Sequence, residues 1–119
     1  MTNRAMEVGN NIQSRQQDGI LVCSLSGRLD AVSASDTSNE LLELIGGNVV
    51  KVLLNLEKLE YVSSLGLRVF VQAAKQLGGK GGTLKLCSAT PPVRKVLEIS
   101  ALDTLLDLRD EENDALQSF

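Results

Sequence analysis

Apolar and polar positions change their period several times along the chain, and each change marks an element. Ile12 to Arg15 and Ile20 to Ser26 read as extended runs separated by Gln16-Gln17-Asp18-Gly19, where Asp-Gly supplies the positive φ angles of a tight hairpin turn. In the second run Ile20 and Val22 alternate with Leu21, Cys23 and Leu25, so both faces are largely apolar. That predicts an interior strand. Gly27-Arg28-Leu29-Asp30 is expected to break it, and Ser33 or Ser35 to cap a helix whose Leu41, Leu42, Leu44 and Ile45 fill the later turns before Gly46-Gly47 ends it.

Val49 to Leu54 is a second continuous apolar run, as in a central strand covered on both faces, and Asn55 to Glu60 is expected to be a link leading out of it. From Ser64 to Leu77 the period becomes helical: Gly66, Phe70, Ala73, Ala74 and Leu77 share one face, while Arg68, Gln72, Lys75 and Gln76 take the other. Gly78-Gly79 stops this helix. Thr83 to Cys87 reads as a strand with Leu84 and Leu86 on one face, and Pro91-Pro92 opens a helix carrying Val93, Val96 and Leu97. A last apolar run, Leu105 to Leu108, reads as a strand before a short acidic helix from about Glu111. Such alternation predicts an α/β fold: a mixed, mostly parallel sheet of about five strands with about four helices packed on it. Residues 1–8 are expected to be a flexible lead-in and 9–119 one domain, since 119 residues suffice for one core and not two.

Composition narrows the function. The chain is 43% hydrophobic and 23% charged, the balance of a globular domain. A net charge of -3 with scattered cations gives no basic field to gather phosphates, and the aromatics are too few for stacking bases. Nucleic acid is therefore not expected as a partner. Met1 to Asn11 holds one Arg and no apolar run, unlike a signal peptide, and no stretch approaches a membrane span, so a cytoplasmic location is expected. No His is present, which removes the commonest general base and every Ser-His or Cys-His pairing. Cys23 and Cys87 lie in strand-like apolar runs and read as free core cysteines, and two thiols are too few for a metal site. Neither catalysis, a metal nor a cofactor is expected. With its apolar positions assigned to helix faces and strands, the domain is expected to be a monomer.

Three motifs remain. The glycine-rich Gly78-Gly79-Lys80-Gly81-Gly82-Thr83 closes a helix and leads into a strand, the reverse of a phosphate-binding loop, so a C-cap and turn is the preferred reading. Asp30 follows Gly-Arg-Leu and suits either a cap or turn or a contact with a partner. Ser63-Ser64 stands where the amphipathic helix begins. Either hydroxyl can cap, and a serine at a helix N-terminus is also a good phosphoacceptor, because the amides and dipole there favour the added charge. Both roles are filled if Ser63 caps and Ser64 accepts. Leu65 falls with Arg68 and Gln72, away from the apolar face, which leaves it exposed unless the first turn unwinds.

The segment Leu54-Asn55-Leu56-Glu57-Lys58-Leu59-Glu60-Tyr61-Val62-Ser63-Ser64-Leu65-Gly66-Leu67-Arg68 resembles the signature of bacterial anti-sigma-factor antagonists of the STAS family. The likeness continues in Leu25-Ser26-Gly27-Arg28-Leu29-Asp30, and from Gly81-Gly82 through Val93-Arg94-Lys95-Val96-Leu97 to Ile99-Ser100-Ala101-Leu102, covering about residues 9 to 110. It implies a four-helix, mostly parallel domain that binds, when unphosphorylated, a GHKL-type serine kinase that is also an anti-sigma factor. Phosphorylation ends the complex and a PP2C-type phosphatase restores it. In the family an Asp precedes the acceptor serine and a second hydroxyl follows it. Aligned on Gly66 and Leu67, Ser63 replaces that Asp, Ser64 is the acceptor, and Leu65 replaces the following hydroxyl. The expected phosphorylation site is Ser64, ahead of Ser63, and the expected partner-binding residues are Asp30, Ser63, Leu65, Gly66, Leu67 and Arg68. The alternative is a scaffold or accessory subunit of a larger assembly, such as a stressosome or a lipid-transport complex.

Overall fold

The computed structural model describes residues 11–119; the lead-in expected over residues 1–8, and the domain start at residue 9, lie outside that range. β1 (Ile12–Gln17) turns back into β2 (Ile20–Leu29) through Asp18 and Gly19, at φ 54° and 80°. Two consecutive left-handed residues match the twist of paired strands. The turn needs only these two, so Gln16 and Gln17 pair within β1 instead of belonging to the loop.

There follow α1 (Ala34–Leu44), β3 (Lys51–Val62), α2 (Ser64–Gly78), β4 (Thr83–Cys87), α3 (Pro91–Ile99), α4 (Leu102–Leu105), β5 (Leu108–Arg109) and α5 (Glu112–Gln117). The strand order is β1-β2-β3-β4-β5; β1 is antiparallel to β2, and the other pairs are parallel. This is the expected mixed, mostly parallel five-stranded α/β sheet, with five helices described where about four were expected. The addition is the one-turn α4. Leu102 and Leu106, four residues apart, are the buried pair there, so helical spacing overrides the apolar run. Leu105 to Leu108 is accordingly not a strand: Leu105 ends α4 and is 75% exposed, Asp107 takes a φ of 54°, and only Leu108 and Arg109 pair with β4.

Two further expectations are corrected together. β2 does not break at Gly27 but continues to Leu29, and Asn55 to Glu60 is no link, because β3 runs on to Val62. Between Ser24 and Ser26 the partner residue moves from Asn55 to Lys58, and between Gly27 and Arg28 it moves from Leu59 to Tyr61. Each irregularity places one extra residue in β3. Opposite the second of these, Gly27 of β2 takes a φ of 78°, a conformation that glycine adopts without steric cost.

The larger core lies on the sheet face covered by α1, α2 and α3. Leu21, Cys23, Leu25 and Leu29 of β2, Leu54, Leu56, Leu59 and Val62 of β3, and Leu84 and Leu86 of β4 meet Leu41, Phe70, Leu77, Val93 and Leu97 from the helices. On the opposite face Ile20, Val22, Leu53 and Cys87 are covered by Ala115, Leu116 and Phe119 from α5 and the residues after it. Charge holds this smaller layer in place: Glu112 accepts from Asn55 Nδ2 at 2.8 Å and Arg15 at 2.7 Å, and Asp107 pairs with both Lys85 and Arg109.

The Gly78–Thr83 segment is a turn between α2 and β4. Lys80 Nζ donates to the carbonyls of Ile45 at 2.6 Å and Gly47 at 3.1 Å, so the lysine satisfies orphan acceptors beyond the end of α1. No described helix is long and apolar enough to cross a membrane.

Candidate functional site

β3 delivers the chain to the N-terminus of α2, and Ser63 makes the transition. Its backbone is extended, at φ -97° and ψ 175°, as an N-cap requires. The Ser63 N–H donates to Leu29 O at 2.9 Å, its carbonyl accepts from Leu67 N–H at 2.9 Å, and its Oγ accepts from Gly66 N–H at 3.1 Å. Ser63 is thus committed to holding the turn. Ser64, the first helical residue, is exposed, and its hydroxyl makes no hydrogen bond among the described residues.

Gly66 fixes where this turn sits. A Cβ on it would lie 2.3 Å from Leu29 O and 2.9 Å from Val62 Cγ2, so only glycine lets α2 approach the end of β2 so closely. Gly66, expected as a partner-binding residue, is buried against β2. Leu67 also turns inward, partly buried and packed on the larger core. Leu65 faces out, 46% exposed, and Arg68 is exposed beside it.

Asp30 lies in the neighbouring β2-to-α1 loop and serves as the turn residue that the sequence allowed. Its Oδ1 accepts from the backbone N–H groups of Val32 at 3.0 Å and Ser33 at 3.1 Å, while its own N–H donates to Ser33 Oγ at 3.1 Å. Ser33 stands at the N-cap position of α1 but makes no side-chain cap bond; its hydroxyl donates to Arg28 O at 2.8 Å. The Ser33 N–H, with smaller contributions from Val32, the Ser33 hydroxyl and Arg28, holds the Asp30 carboxyl below its ordinary range against the effect of partial desolvation.

Arg28 stacks 4.3 Å over the Tyr61 ring, with its Nε 3.7 Å from Asp30 Oδ2. Val32 is 88% exposed at the tip of the loop. Sequence reading missed Val32, although an apolar residue inside the polar stretch Asp30 to Asn39 was a usable signal. The Arg28–Tyr61 pair was hidden because it depends on the bulged register. A groove of about 620 Å³ runs between α1 and α2, with Ala34, Leu42, Leu65, Arg68 and Val69 among its lining residues. Ser38 Oγ bridges to Gln72 Oε1 at 2.9 Å, joining the two helices.

The site therefore presents one free hydroxyl at a helix N-terminus, flanked by exposed apolar and cationic side chains. The cysteines are free and buried, and desolvation pushes the Cys23 thiol up to about 12 and Cys87 to about 11, far from the thiolate a nucleophile needs. No cluster of potential metal ligands occurs among the described residues.

A family model described as the STAS domain matches residues 11–115. BtrV of Bordetella bronchiseptica, named as a candidate anti-sigma factor antagonist, is 35% identical over 102 residues, 86% of this chain and 88% of that protein. The anti-sigma F factor antagonist of Paenibacillus polymyxa is 30% identical over 106 residues, 88% and 91% of the two chains. The anti-sigma factor antagonist SpoIIAA in its unphosphorylated form has the same fold, with a TM-score of 0.75 at 23% identity over 90% of this chain and 94% of that one. Its phosphorylated form, from Bacillus, gives 0.69 at 23% identity over 90% and 97%. With the family model matching residues 11–115 and two relatives at 35% and 30% identity covered over most of their length, the chain belongs to the STAS domain family.

Proposed function

We propose that this STAS domain is a phosphorylation-switched anti-sigma-factor antagonist. Unphosphorylated, it binds an anti-sigma factor that is also a GHKL-type serine kinase, and so frees the sigma factor. The kinase transfers the γ-phosphoryl group of ATP to Ser64: an Oγ–P bond forms, the bond to the β-phosphate oxygen breaks, ADP leaves, and the hydroxyl proton passes to a base on the kinase. The product no longer fits the kinase, and a PP2C-type phosphatase restores the hydroxyl by hydrolysis. The relatives named as antagonists over most of their length support this reading.

The observation that carries it is the division of labour between adjacent serines. Ser63 spends its hydroxyl on Gly66 N–H, whereas Ser64 offers a free, exposed hydroxyl at the positive end of α2, where a dianion is favoured. Leu65 and Arg68 on the same helix, with Asp30 and the exposed Val32 of the β2-to-α1 loop, form the proposed docking surface, and Ser63 caps the turn that carries Ser64. A phosphate placed among them would be desolvated in an interface fitted to a neutral hydroxyl.

Calorimetric titration of the chain with a GHKL-type kinase from the same genome, joined to phosphopeptide mass spectrometry after ATP addition, tests this. Wild type and Ser64→Ala bind, Ser64→Asp does not, and only wild type gains phosphate, on Ser64. Phosphate on Ser63 would overturn the assignment, and equal binding by Ser64→Asp would overturn the switch.

A further inference from the structure

Ser64 and Arg68 are the first and fifth residues of α2, which puts their side chains one above the other on the same helix face. Among the described arginines, Arg15 pairs with Glu112, Arg28 with Asp30, Arg94 with Asp110 and Arg109 with Asp107. Arg68 has no ion pair, hydrogen bond or ring contact among the described residues. The first turn of α2 also contains no acidic residue that could claim it. Asp30, the acid in the adjacent loop, is occupied by the Val32 and Ser33 N–H groups and lies beside Arg28.

We propose that Arg68 is an internal receptor for the phosphate: once Ser64 is phosphorylated, the Arg68 guanidinium closes on it across one helical turn, forming charge-assisted hydrogen bonds within α2. The inference rests on Ser64 being the acceptor and adds how the modified state is held. An anion four residues N-terminal to a cation is the favourable orientation of such a pair, and the phosphate itself would lie at the positive end of the helix dipole. A guanidinium fork fits phosphate oxygens in a way that a single ammonium does not. Before phosphorylation Arg68 stands free at the groove beside Leu65. Afterwards it is turned toward the helix N-terminus and neutralised. Phosphorylation thereby removes two features from the docking surface at once, the neutral hydroxyl and the free cation.

The test needs no kinase. Phosphoserine is placed at position 64 during synthesis of the full chain, in wild type and with Arg68→Gln, Arg68→Lys or Lys75→Gln, and the phosphate is titrated by phosphorus NMR at low and high salt. The ordinary second pKa of phosphoserine is about 6. In the wild-type chain we expect its midpoint to lie about half a pH unit below that of Arg68→Gln, with Arg68→Lys between them and the gap narrowing in salt. Lys75→Gln, which removes an exposed cation near the far end of the same helix, should leave the midpoint unchanged. Equal midpoints in wild type and Arg68→Gln would overturn the clasp. So would a shift from Lys75→Gln as large as that from Arg68→Gln, which would mean that the phosphate feels only the general field. A kinase that never modifies Ser64 would remove the proposed switch while leaving this measured pairing intact, so the two failures are separable.

Discussion

The carbonyl oxygen of Leu29 occupies the space where a side chain on Gly66 would begin: a Cβ there would sit 2.3 Å away. The clash is with backbone at the end of a paired strand, which cannot swing aside as a flexible side-chain tip could. Gly66→Ala is therefore expected to destabilise the fold by about 2–3 kcal/mol, the scale of overpacking, and to lower the Tm by roughly 10 °C. Gly78→Ala, at the last residue of the same helix with nothing within 4 Å of the added Cβ, should be neutral or slightly stabilising. Thermal melts of both variants check the pair, and similar Tm values would show that α2 shifts without cost.

Ser63 and Ser64 should separate in stability as they do in hydrogen bonding. Ser63→Ala strips the acceptor from Gly66 N–H and is expected to cost about 1 kcal/mol, whereas Ser64→Ala touches no described hydrogen bond and should change stability by less than about 0.5 kcal/mol. Ser63→Asp should retain most of the cap, since an Asp carboxylate is as good an N-cap acceptor as a serine hydroxyl. Urea denaturation of the three variants decides this. A larger loss at Ser64 than at Ser63 would reverse the assignment of roles.

Much of this was legible in the chain, and the errors have physical causes. The largely apolar run of Ile20 to Leu25 reports a strand buried on both faces, and helical spacing from Ser64 to Leu77 reports which face of α2 is buried, so both elements appear near their true positions. Past Leu56, however, the core residues of β3 are Leu59 and Val62, three apart, because the bulges add residues that β2 lacks. A strand with that spacing reads as a loop. The cap at Ser63 was visible in the Ser-Ser pair before an amphipathic run, as was the outward position of Leu65. What sequence could not show is depth: Gly66 is buried, and the space its side chain would need is taken by a carbonyl from a strand more than thirty residues earlier.

Acid should loosen the layer under α5 first. Asp107 is held below its ordinary value by hydrogen bonds from Arg109 and then Lys85. Burial pushes Glu112 up, but hydrogen bonds from Asn55 and Arg15 outweigh it, so Glu112 is also lowered. For carboxylates depressed in the folded state, the stabilisation is fully present above the unfolded values, about 3.9 for Asp and 4.3 for Glu, and is lost as pH falls through the lower folded values. Stability should hold from neutral down to about pH 5 and decline below about pH 4. Replacing Glu112 with Gln should flatten part of that decline and lower stability at pH 7. Melting curves from pH 3 to 7 test the sign, and a variant with unchanged acid sensitivity would show that Glu112 does not contribute.

The proposed docking surface can be separated from the core at Leu65. Its side chain is 46% exposed at the groove, so truncation removes little buried area, and Arg68 beside it has no described partner to lose. Leu65→Ala and Arg68→Ala should each leave the Tm within about 2 °C of wild type, as expected for surface changes away from buried contacts. If these residues contact the kinase as proposed, each should weaken binding by about 1–2 kcal/mol, roughly five- to thirtyfold in Kd, because an apolar anchor beside a cation is a common make-up of an interface hot spot. Arg68→Ala should also reduce the salt dependence of binding, while Leu65→Ala should not. Val93→Ala, a truncation in the fully buried part of α3, provides the opposite control: the Tm falls and the intrinsic affinity of the folded fraction stays unchanged. Calorimetric titrations alongside melts of all three variants distinguish these outcomes, and a Leu65→Ala protein that melts early yet binds normally would place Leu65 in the core and the docking surface elsewhere.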